Sequence, residues 1–198
     1  VLHQIKQTFT GKVKLIFQPD EEQNGAAKTI VEEGFLQDVD VMLGLHVMPY
    51  LEVGEIELRD GVLNGQSTSV TIDVYGKKAH GAYPHQGVDA IVIAGYLIVQ
   101  LQSIVTRMIS PLEQAVLSFG IVQGGTRQNI IADHVQLKGT LRTVQNDTRD
   151  TIKQHIIDSS TQVAASMGGT STVRFVQGYP IVVNDPLIND YIRKNAES

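Results

Sequence analysis

Residues 64–177 contain a regular succession of strand-like and helix-like segments, which constrains the fold more than any other feature of the sequence. Residues 67–76 alternate apolar and polar side chains, as in a strand with one buried face. From about 88 to 108, apolar residues recur three and four positions apart, which predicts a helix. By the same criteria, the remaining elements are strands over 115–123 and 135–144, a helix over 147–167 and a strand from 172.

This βαββαβ order predicts an antiparallel sheet with two helices on one face, the ferredoxin-like arrangement. The link between the two middle strands is rich in turn-forming residues, which favours an antiparallel pair. Asn146 or Asp147 is expected to cap the second helix, and Gly168 is expected to end it.

The N-terminal part has a different pattern. Residues 13–18 form an apolar run closed by Pro19, which suits a strand buried on both faces. A helix capped by Asn24 and a second apolar strand over 39–47 should follow. Strand, helix and strand within about 35 residues predict a crossover unit of a parallel sheet.

The predicted fold class is therefore part of an α/β domain with an inserted α+β, ferredoxin-like domain. We expect residues 1–63 to belong to the α/β domain, 64–177 to form the insertion, and 178–198 to return to the α/β domain. The chain starts without Met and stops inside a helical pattern at 187–192, which favours a fragment of a longer protein.

Composition excludes several classes of function. The 198 residues carry 16 Lys and Arg against 21 Asp and Glu, a net charge of −5, which argues against nucleic-acid binding. The longest apolar stretch, 90–99, is much shorter than the roughly 20 residues of a membrane span. Without cysteine, neither a disulfide framework nor a thiolate metal site can form within the chain.

Polar residues follow both predicted strands of the N-terminal part. Asp20, Glu21 and Glu22 come directly after the first strand, and His46 lies near the end of the second. Ligands bind at the carboxyl ends of parallel strands, and carboxylate and imidazole groups are suitable ligands for a divalent metal ion. The alternatives are a solvated acidic loop and a core histidine, and two ligands alone do not complete a tetrahedral site.

The predicted insertion holds a second set of candidates. His80 and His85 lie in a tight Gly/Pro turn, where an imidazole could donate a hydrogen bond to a developing oxyanion. Residues 124–126, Asn129 and Arg142 offer backbone N–H groups, an amide and a guanidinium that can bind a carboxylate. The alternatives are an ordinary surface turn around the histidines and a β-turn followed by a surface arginine.

Five motifs occur in order: FQPDEE, GLHV, AHGAYPH, GGTRQNIIAD and GTLRT. Together they resemble the aminoacylase and hippurate hydrolase metallopeptidase family over essentially the whole chain. The resemblance is strongest to the amidohydrolase branch with indole-acetyl-amino-acid hydrolases and acetyl-diaminopimelate deacetylases.

The resemblance implies a cytoplasmic, metal-dependent amidohydrolase that cleaves N-acyl or N-aroyl amino acids. It further implies two divalent ions per full-length subunit (zinc, manganese, cobalt or nickel) and a homodimer formed through the inserted lid domain. By matching motifs it assigns these roles: general base, Glu21; metal ligands, Glu22 and His46; oxyanion stabilisation, usually in the partner subunit's site, His80; substrate carboxylate binding, Asn129 and Arg142.

The chain departs from the family pattern in three places. Asp20 replaces the usual Ala, and Lys78-Ala79 replaces the usual Gly-Gly before His80. The family's N-terminal Cys/His metal motif and its C-terminal metal-binding His are not in this sequence, so we expect the isolated chain to be inactive. The alternative function is a non-catalytic, ferredoxin-like module for dimerisation or small-molecule binding.

Overall fold

The structure is a computed structural model that describes residues 4–5, 7–8, 10–21 and 25–196. The chain divides into two compact units, Val1–Glu55 and Ile56–Ser198, and each is described by itself.

The described residues of the first unit form one short helix, α1 (Ala27–Glu32), which ends before Gly34 at a left-handed φ of 79°. Ala26 precedes α1 without a side-chain cap, and Asn24, the expected cap, lies outside the described residues. The strands predicted over 13–18 and 39–47 do not form. A strand needs a hydrogen-bonding neighbour, and the described part of this unit supplies none.

Side chains that would be buried in such strands are exposed instead. Phe17 and Leu45 are each 87% exposed, and Val47 is 83% exposed. These segments are therefore apolar enough for the interior of a sheet but have no partner strand among the described residues.

Residues 56–196 of the second unit form eight strands and three further helices. The strands are β1 (Gly61–Asn64), β2 (Gln66–Tyr75), β3 (Ala79–His80), β4 (Ala115–Gly124), β5 (Ile130–Ile131), β6 (His134–Thr143), β7 (Thr170–Gln177) and β8 (Val182–Asn184). The helices are α2 (Ala90–Ser103), continued by a wider π-helical turn (Ile104–Met108), α3 (Asn146–Ser166) and α4 (Pro186–Ala196).

Four strands form one antiparallel sheet in the order β4-β6-β2-β7. The chain order β2, α2, β4, β6, α3, β7 is the predicted strand and helix succession. The other strands form two separate pairs, β1 with β8 and β3 with β5. The two-residue pair of β3 and β5, called the ribbon below, was not predicted because two residues carry no periodicity.

The alternating pattern of β2 separates the two faces of the sheet. Val70, Ile72 and Val74 point to one face and are almost fully buried. On that face they pack with helix side chains such as Leu97 of α2 and Ile156 of α3. The opposite face carries mainly polar side chains and is not covered by these helices, so it can hold a site.

The two long helices begin in different ways. Asp89 caps α2, since its carboxylate accepts from the backbone N–H groups of Ile91 (2.9 Å) and Val92 (3.3 Å). The expected cap of α3 by Asn146 or Asp147 is wrong, because α3 already begins at Asn146, after Gln145. The Asn146 side chain instead accepts from Gln66 at 3.2 Å and from Arg149 at 3.1 Å.

The segment Ala90–Met108 is long and apolar enough to cross a membrane, by length and composition alone. Core helices share these properties. The inward side chains of α2 are buried in the core: Ala90, Ile93, Ala94, Leu97 and Leu101. Packing against the core therefore explains why one face of this helix is apolar.

Candidate active site

The acidic loop of the first unit contains Asp20 and Glu21. Asp20 has a φ of 54°, a left-handed conformation that Asp adopts more readily than most residues. Its carbonyl accepts from the backbone N–H of Gly25 at 2.6 Å, which closes the loop. Glu21 is exposed. Glu22 lies outside the described residues, so its assignment as a metal ligand stays a prediction.

His46 is exposed in this chain. Its Nδ1 lies 2.8 Å from the carbonyl oxygen of Val47. Because a carbonyl only accepts, Nδ1 carries the hydrogen, and the neutral ring presents Nε2 as a lone pair for a metal. Within residues 4–5, 7–8, 10–21 and 25–196, however, no three Asp, Glu or His side chains come together as a metal site.

His80 belongs to the ribbon, where it pairs with Ile130. The backbone N–H of Ala82 donates to Nδ1 of His80 at 3.1 Å. Nδ1 is therefore the acceptor, and the neutral ring carries its hydrogen on Nε2. The ring of Tyr83 lies against the imidazole, with centroids 5.7 Å apart. The turn thus holds His80 as a hydrogen-bond donor through Nε2.

Asn129 immediately precedes the other strand of the ribbon. Its carbonyl accepts from the backbone N–H of Gly81 at 2.8 Å. A Cβ on Gly81 would lie 3.0 Å from this same oxygen, so the close approach favours glycine. The ribbon therefore places the backbone of Asn129 beside the turn that follows His80, and the side chains of both residues are exposed.

Arg142 lies near the end of β6, on the open face of the sheet, opposite Ser67 of β2 and Val116 of β4. Its Nη1 donates to the hydroxyl oxygens of Ser67 and Thr140. The guanidinium is exposed and held by neutral groups, which leaves its positive charge available to an anion.

The structure does not bring Arg142 together with the ribbon. The ribbon joins the sheet near His134, at the start of β6, because β5 leads into this strand. Arg142 lies eight residues further along β6, about 27 Å at roughly 3.4 Å per residue. This separation exceeds the length of an N-acyl amino acid, so one such molecule would not reach both ends within one chain.

A polar network on the open face was missed by the sequence analysis. Oδ1 of Asp73 accepts from Nε2 of His134 at 2.8 Å and from Nε2 of Gln136 at 2.9 Å. Burial raises the pKa of Asp73, but hydrogen bonds from Gln136 and His134 and the charges of His134 and Arg174 lower it more, to below 3.8. The pairing register of β2 and β6 creates this network, and no sequence motif indicates it.

A cavity of about 460 Å³ lies beside this network, at the end of β4. It is lined by Gln123, Gly124, Gly125, Thr126, Asp133, His134 and Gln136. The glycine turn singled out in the sequence therefore lines a polar cavity rather than contacting Arg142.

An apolar surface, called the α2 stripe, runs along the outside of α2. It consists of Ile91, Val92, Tyr96 and Val99, of which Tyr96 is 66% and Val99 74% exposed. The stripe follows β4, an edge strand of the sheet: a Cβ on Gly125 would meet Ile91, and Gln102 donates to the carbonyl of Leu117. An apolar helix face beside a sheet edge is a favourable surface for self-association.

Residues 63–167 match the M20 family described as the peptidase dimerisation domain. The N-acetyl-L-cysteine deacetylase of Bacillus subtilis is 36% identical over 196 residues, which cover 99% of this chain and 47% of that protein. The N-acetyldiaminopimelate deacetylase of a Geobacillus species is 37% identical over 185 residues, which cover 92% and 49%. The chain thus spans about half the length of the curated relatives it matches.

Several solved structures are similar, and one of them is similar over 99% of this chain and 49% of its own length. It is the Bacillus subtilis YXEP protein, a dinuclear metal binding peptidase from the M20 family, with a TM-score of 0.75 and 30% identity. The resemblance inferred from the motifs is confirmed. The chain belongs to the M20 family of peptidases and amidohydrolases and carries its dimerisation domain.

Proposed function

We propose that the full-length protein containing this chain is a metal-dependent amidohydrolase that cleaves N-acyl or N-aroyl amino acids. The observation that carries this proposal is the turn at the ribbon, which holds His80 as an Nε2–H donor. The names of the similar deacetylases support an acylated amino acid as substrate. A cytoplasmic location stays a prediction.

His46 is suited to bind a metal ion. Its Nδ1–H donates a hydrogen bond to a carbonyl, so the lone pair of Nε2 remains available to the ion. Glu22 is proposed as a second ligand, and the remaining ligands would come from outside the described residues. A divalent ion held there would polarise the amide carbonyl and lower the pKa of a water molecule. The dinuclear similar structure supports two ions, and zinc, manganese, cobalt and nickel all suit such ligands.

The chain's own residues supply the remaining chemistry. Glu21 takes a proton from the attacking water and passes it to the leaving amine nitrogen. His80 donates its Nε2–H to the carbonyl oxygen as negative charge develops there. Asn129 and Arg142 bind the substrate carboxylate, Arg142 through its guanidinium fork.

We propose the predicted domain division for the full-length protein. Residues 1–63 and 178–198 belong to the catalytic α/β domain, and 64–177 form a ferredoxin-like lid. The β4-β6-β2-β7 order with α2 and α3 on one face supports the lid assignment. The unpaired apolar segments 13–18 and 39–47 support the view that further strands complete the α/β domain.

We propose that two copies associate through the edge of β4 and the α2 stripe. This arrangement pairs the free strand edge and covers the apolar helix face. It also explains how Arg142 and the ribbon, which lie at opposite ends of β6, can serve one reaction: Arg142 of one chain and His80 with Asn129 of the other contribute to the same site.

The test of activity is hydrolysis of N-acetyl amino acids by the full-length protein loaded with zinc, manganese, cobalt or nickel. Release of the free amine is measured. We expect turnover, and Glu21→Gln should abolish it while the bound metal, measured by elemental analysis, stays largely unchanged. Binding of N-acetyl amino acids without turnover under every metal would instead favour the non-catalytic alternative.

Subunit mixing tests the shared site. Each of the single variants His80→Ala and Arg142→Ala should be inactive by itself. When the two variants are mixed, dissociated and allowed to reassociate at random, half of the dimers contain one chain of each variant. One of the two sites in each such dimer then has both His80 and Arg142. We therefore expect about a quarter of the original activity. Mixed dimers without activity would refute the shared site, and mixing two His80→Ala preparations is the control.

Sedimentation tests the dimer surface. Val99→Glu places a charge in the α2 stripe and should convert the full-length dimer to a monomer. Ile157→Glu on α3, which replaces an exposed residue outside the stripe, is the matched control and should leave the dimer intact. A dimer that persists in Val99→Glu at micromolar concentration would refute this surface.

A further inference from the structure

The guanidinium of Arg142 is held from one side by two hydroxyl groups. Nη1 donates to both Ser67 Oγ and Thr140 Oγ1. Ser67 lies directly opposite Arg142 on β2, and Thr140 precedes Arg142 by two residues on β6. In a strand, such neighbours share one face, so the three side chains meet on the open face of the sheet.

The hydroxyls contact only one of the three guanidinium nitrogens. Nη2 and Nε lie on the other edge, where their N–H bonds run parallel and match the two oxygens of a carboxylate. The contacts of Ser67 and Thr140 therefore orient Arg142 without using the edge that binds a carboxylate best.

The holding groups also leave the charge of Arg142 intact. Arg149 provides the contrast, since its Nε donates to the carboxylate of Asp150 at 2.9 Å, and this pairing raises the pKa of Arg149. Among the described residues, the groups that accept hydrogen bonds from the Arg142 side chain are hydroxyls rather than carboxylates. A neutral partner fixes the direction of the guanidinium and only slightly weakens the attraction of the guanidinium for an anion.

Orientation matters because a free arginine side chain loses rotamer freedom when it binds. Holding the side chain in advance removes part of this loss and so strengthens binding. Both hydroxyls are on central strands of the sheet, which are rigid supports for a binding group.

We propose that Ser67 and Thr140 are positioning residues that aim the Nε/Nη2 edge of Arg142 at the carboxylate of the substrate. This inference rests on the proposed function and deepens it. The two hydroxyls contribute to substrate affinity and take no part in bond cleavage. Their loss therefore raises KM and leaves kcat unchanged.

The experiment uses Ser67→Ala and Thr140→Val in the full-length protein, with an N-acetyl amino acid as substrate. Each should raise KM about 3- to 10-fold, the effect of one hydrogen bond, with kcat within about twofold. The conservative variants Ser67→Thr and Thr140→Ser keep a hydroxyl and should restore KM. Ser69→Ala is the matched control, since Ser69 shares the strand and face but is not one of the two hydroxyls that accept from Nη1 of Arg142.

A second substrate separates positioning from general damage to the structure. The carboxamide of the same N-acetyl amino acid lacks the charge that Arg142 recognises, so its KM should be the same in Ser67→Ala and the unchanged protein. Equal KM increases for acid and carboxamide, or a lower kcat with unchanged KM, would overturn the proposal.

Measuring the Kd of the N-acetyl amino acid by calorimetry tests the inference independently of turnover. If the protein binds this ligand without hydrolysing it, the proposed function fails, and a weaker Kd in Ser67→Ala still supports positioning. An unchanged Kd in both hydroxyl variants overturns positioning while hydrolysis by the unchanged protein leaves the proposed function standing. Absence of carboxylate binding by the unchanged protein overturns both.

Discussion

Replacing Gly76 with alanine tests the close packing at the base of the ribbon. Gly76 follows β2, and its neighbour Lys77 pairs with Val88, the N–H of each donating to the carbonyl of the other at 2.8 and 2.9 Å. A Cβ on Gly76 would lie 2.1 Å from the carbonyl oxygen of Val88 and 3.0 Å from its carbonyl carbon. Because these atoms belong to the backbone, no side-chain rotation relieves the clash.

The structure gives the size of the effect. To reach an ordinary contact of 3.4 Å, the Val88 oxygen must move away by about 1.3 Å, which breaks its hydrogen bond to Lys77. Overpacking costs about 1–3 kcal/mol, and a lost hydrogen bond costs about 1 kcal/mol. We therefore expect the free energy of unfolding to fall by about 2–4 kcal/mol.

The assay is urea unfolding followed by far-ultraviolet circular dichroism. Gly120→Ala is the matched control, because Gly120 lies in β4 where an added Cβ has no neighbour within 4 Å. The control should change the free energy of unfolding by less than about 0.5 kcal/mol. If Gly76→Ala were equally harmless, the backbone approach of Gly76 and Val88 would not exist as described.

Three further predictions concern the second unit. Leu97→Ala empties a fully buried core position and should lower the free energy of unfolding by about 2–5 kcal/mol in urea. Arg149→Ala removes the 2.9 Å bond to the buried Gln66 amide oxygen and should cost about 1–2 kcal/mol, whereas Arg127→Ala, at an exposed position, should be near neutral by the same assay. Because the pKa of Asp73 is lowered in the folded state, its carboxylate adds stability above pH 3.8 that is lost as the pH falls through the folded value. The difference in unfolding free energy between the unchanged protein and Asp73→Asn should therefore shrink on acidification below about pH 4, and a difference independent of pH would contradict this.

The sheet and helices of the second unit were predictable because each element carries its own periodicity. The predicted strand 67–76 and the observed β2 differ by one residue at each end. The same reasoning failed for 13–18 and 39–47, where an apolar run indicates burial but cannot supply the neighbouring strand that hydrogen bonding requires.

The sequence predicted which residues belong to the candidate site, but not how these residues are arranged in space. His80, Asn129 and Arg142 were singled out from residue type and turn context, but their positions relative to one another depend on long-range pairing. His80 pairs with Ile130 in a two-residue ribbon, and Asp73 meets His134, which lies 61 positions further along the chain. Pairing register of this kind has no local sequence signal.

The distance along β6 between the ribbon and Arg142 also implies that specific activity depends on protein concentration. When two chains share each site, dissociated chains contribute nothing, so specific activity should fall on dilution toward the dissociation constant of the dimer. Below that constant, total activity should vary with the square of the protein concentration. Halving the amount of protein would then leave about a quarter of the activity, and substrate that binds across both chains would oppose the loss by stabilising the dimer.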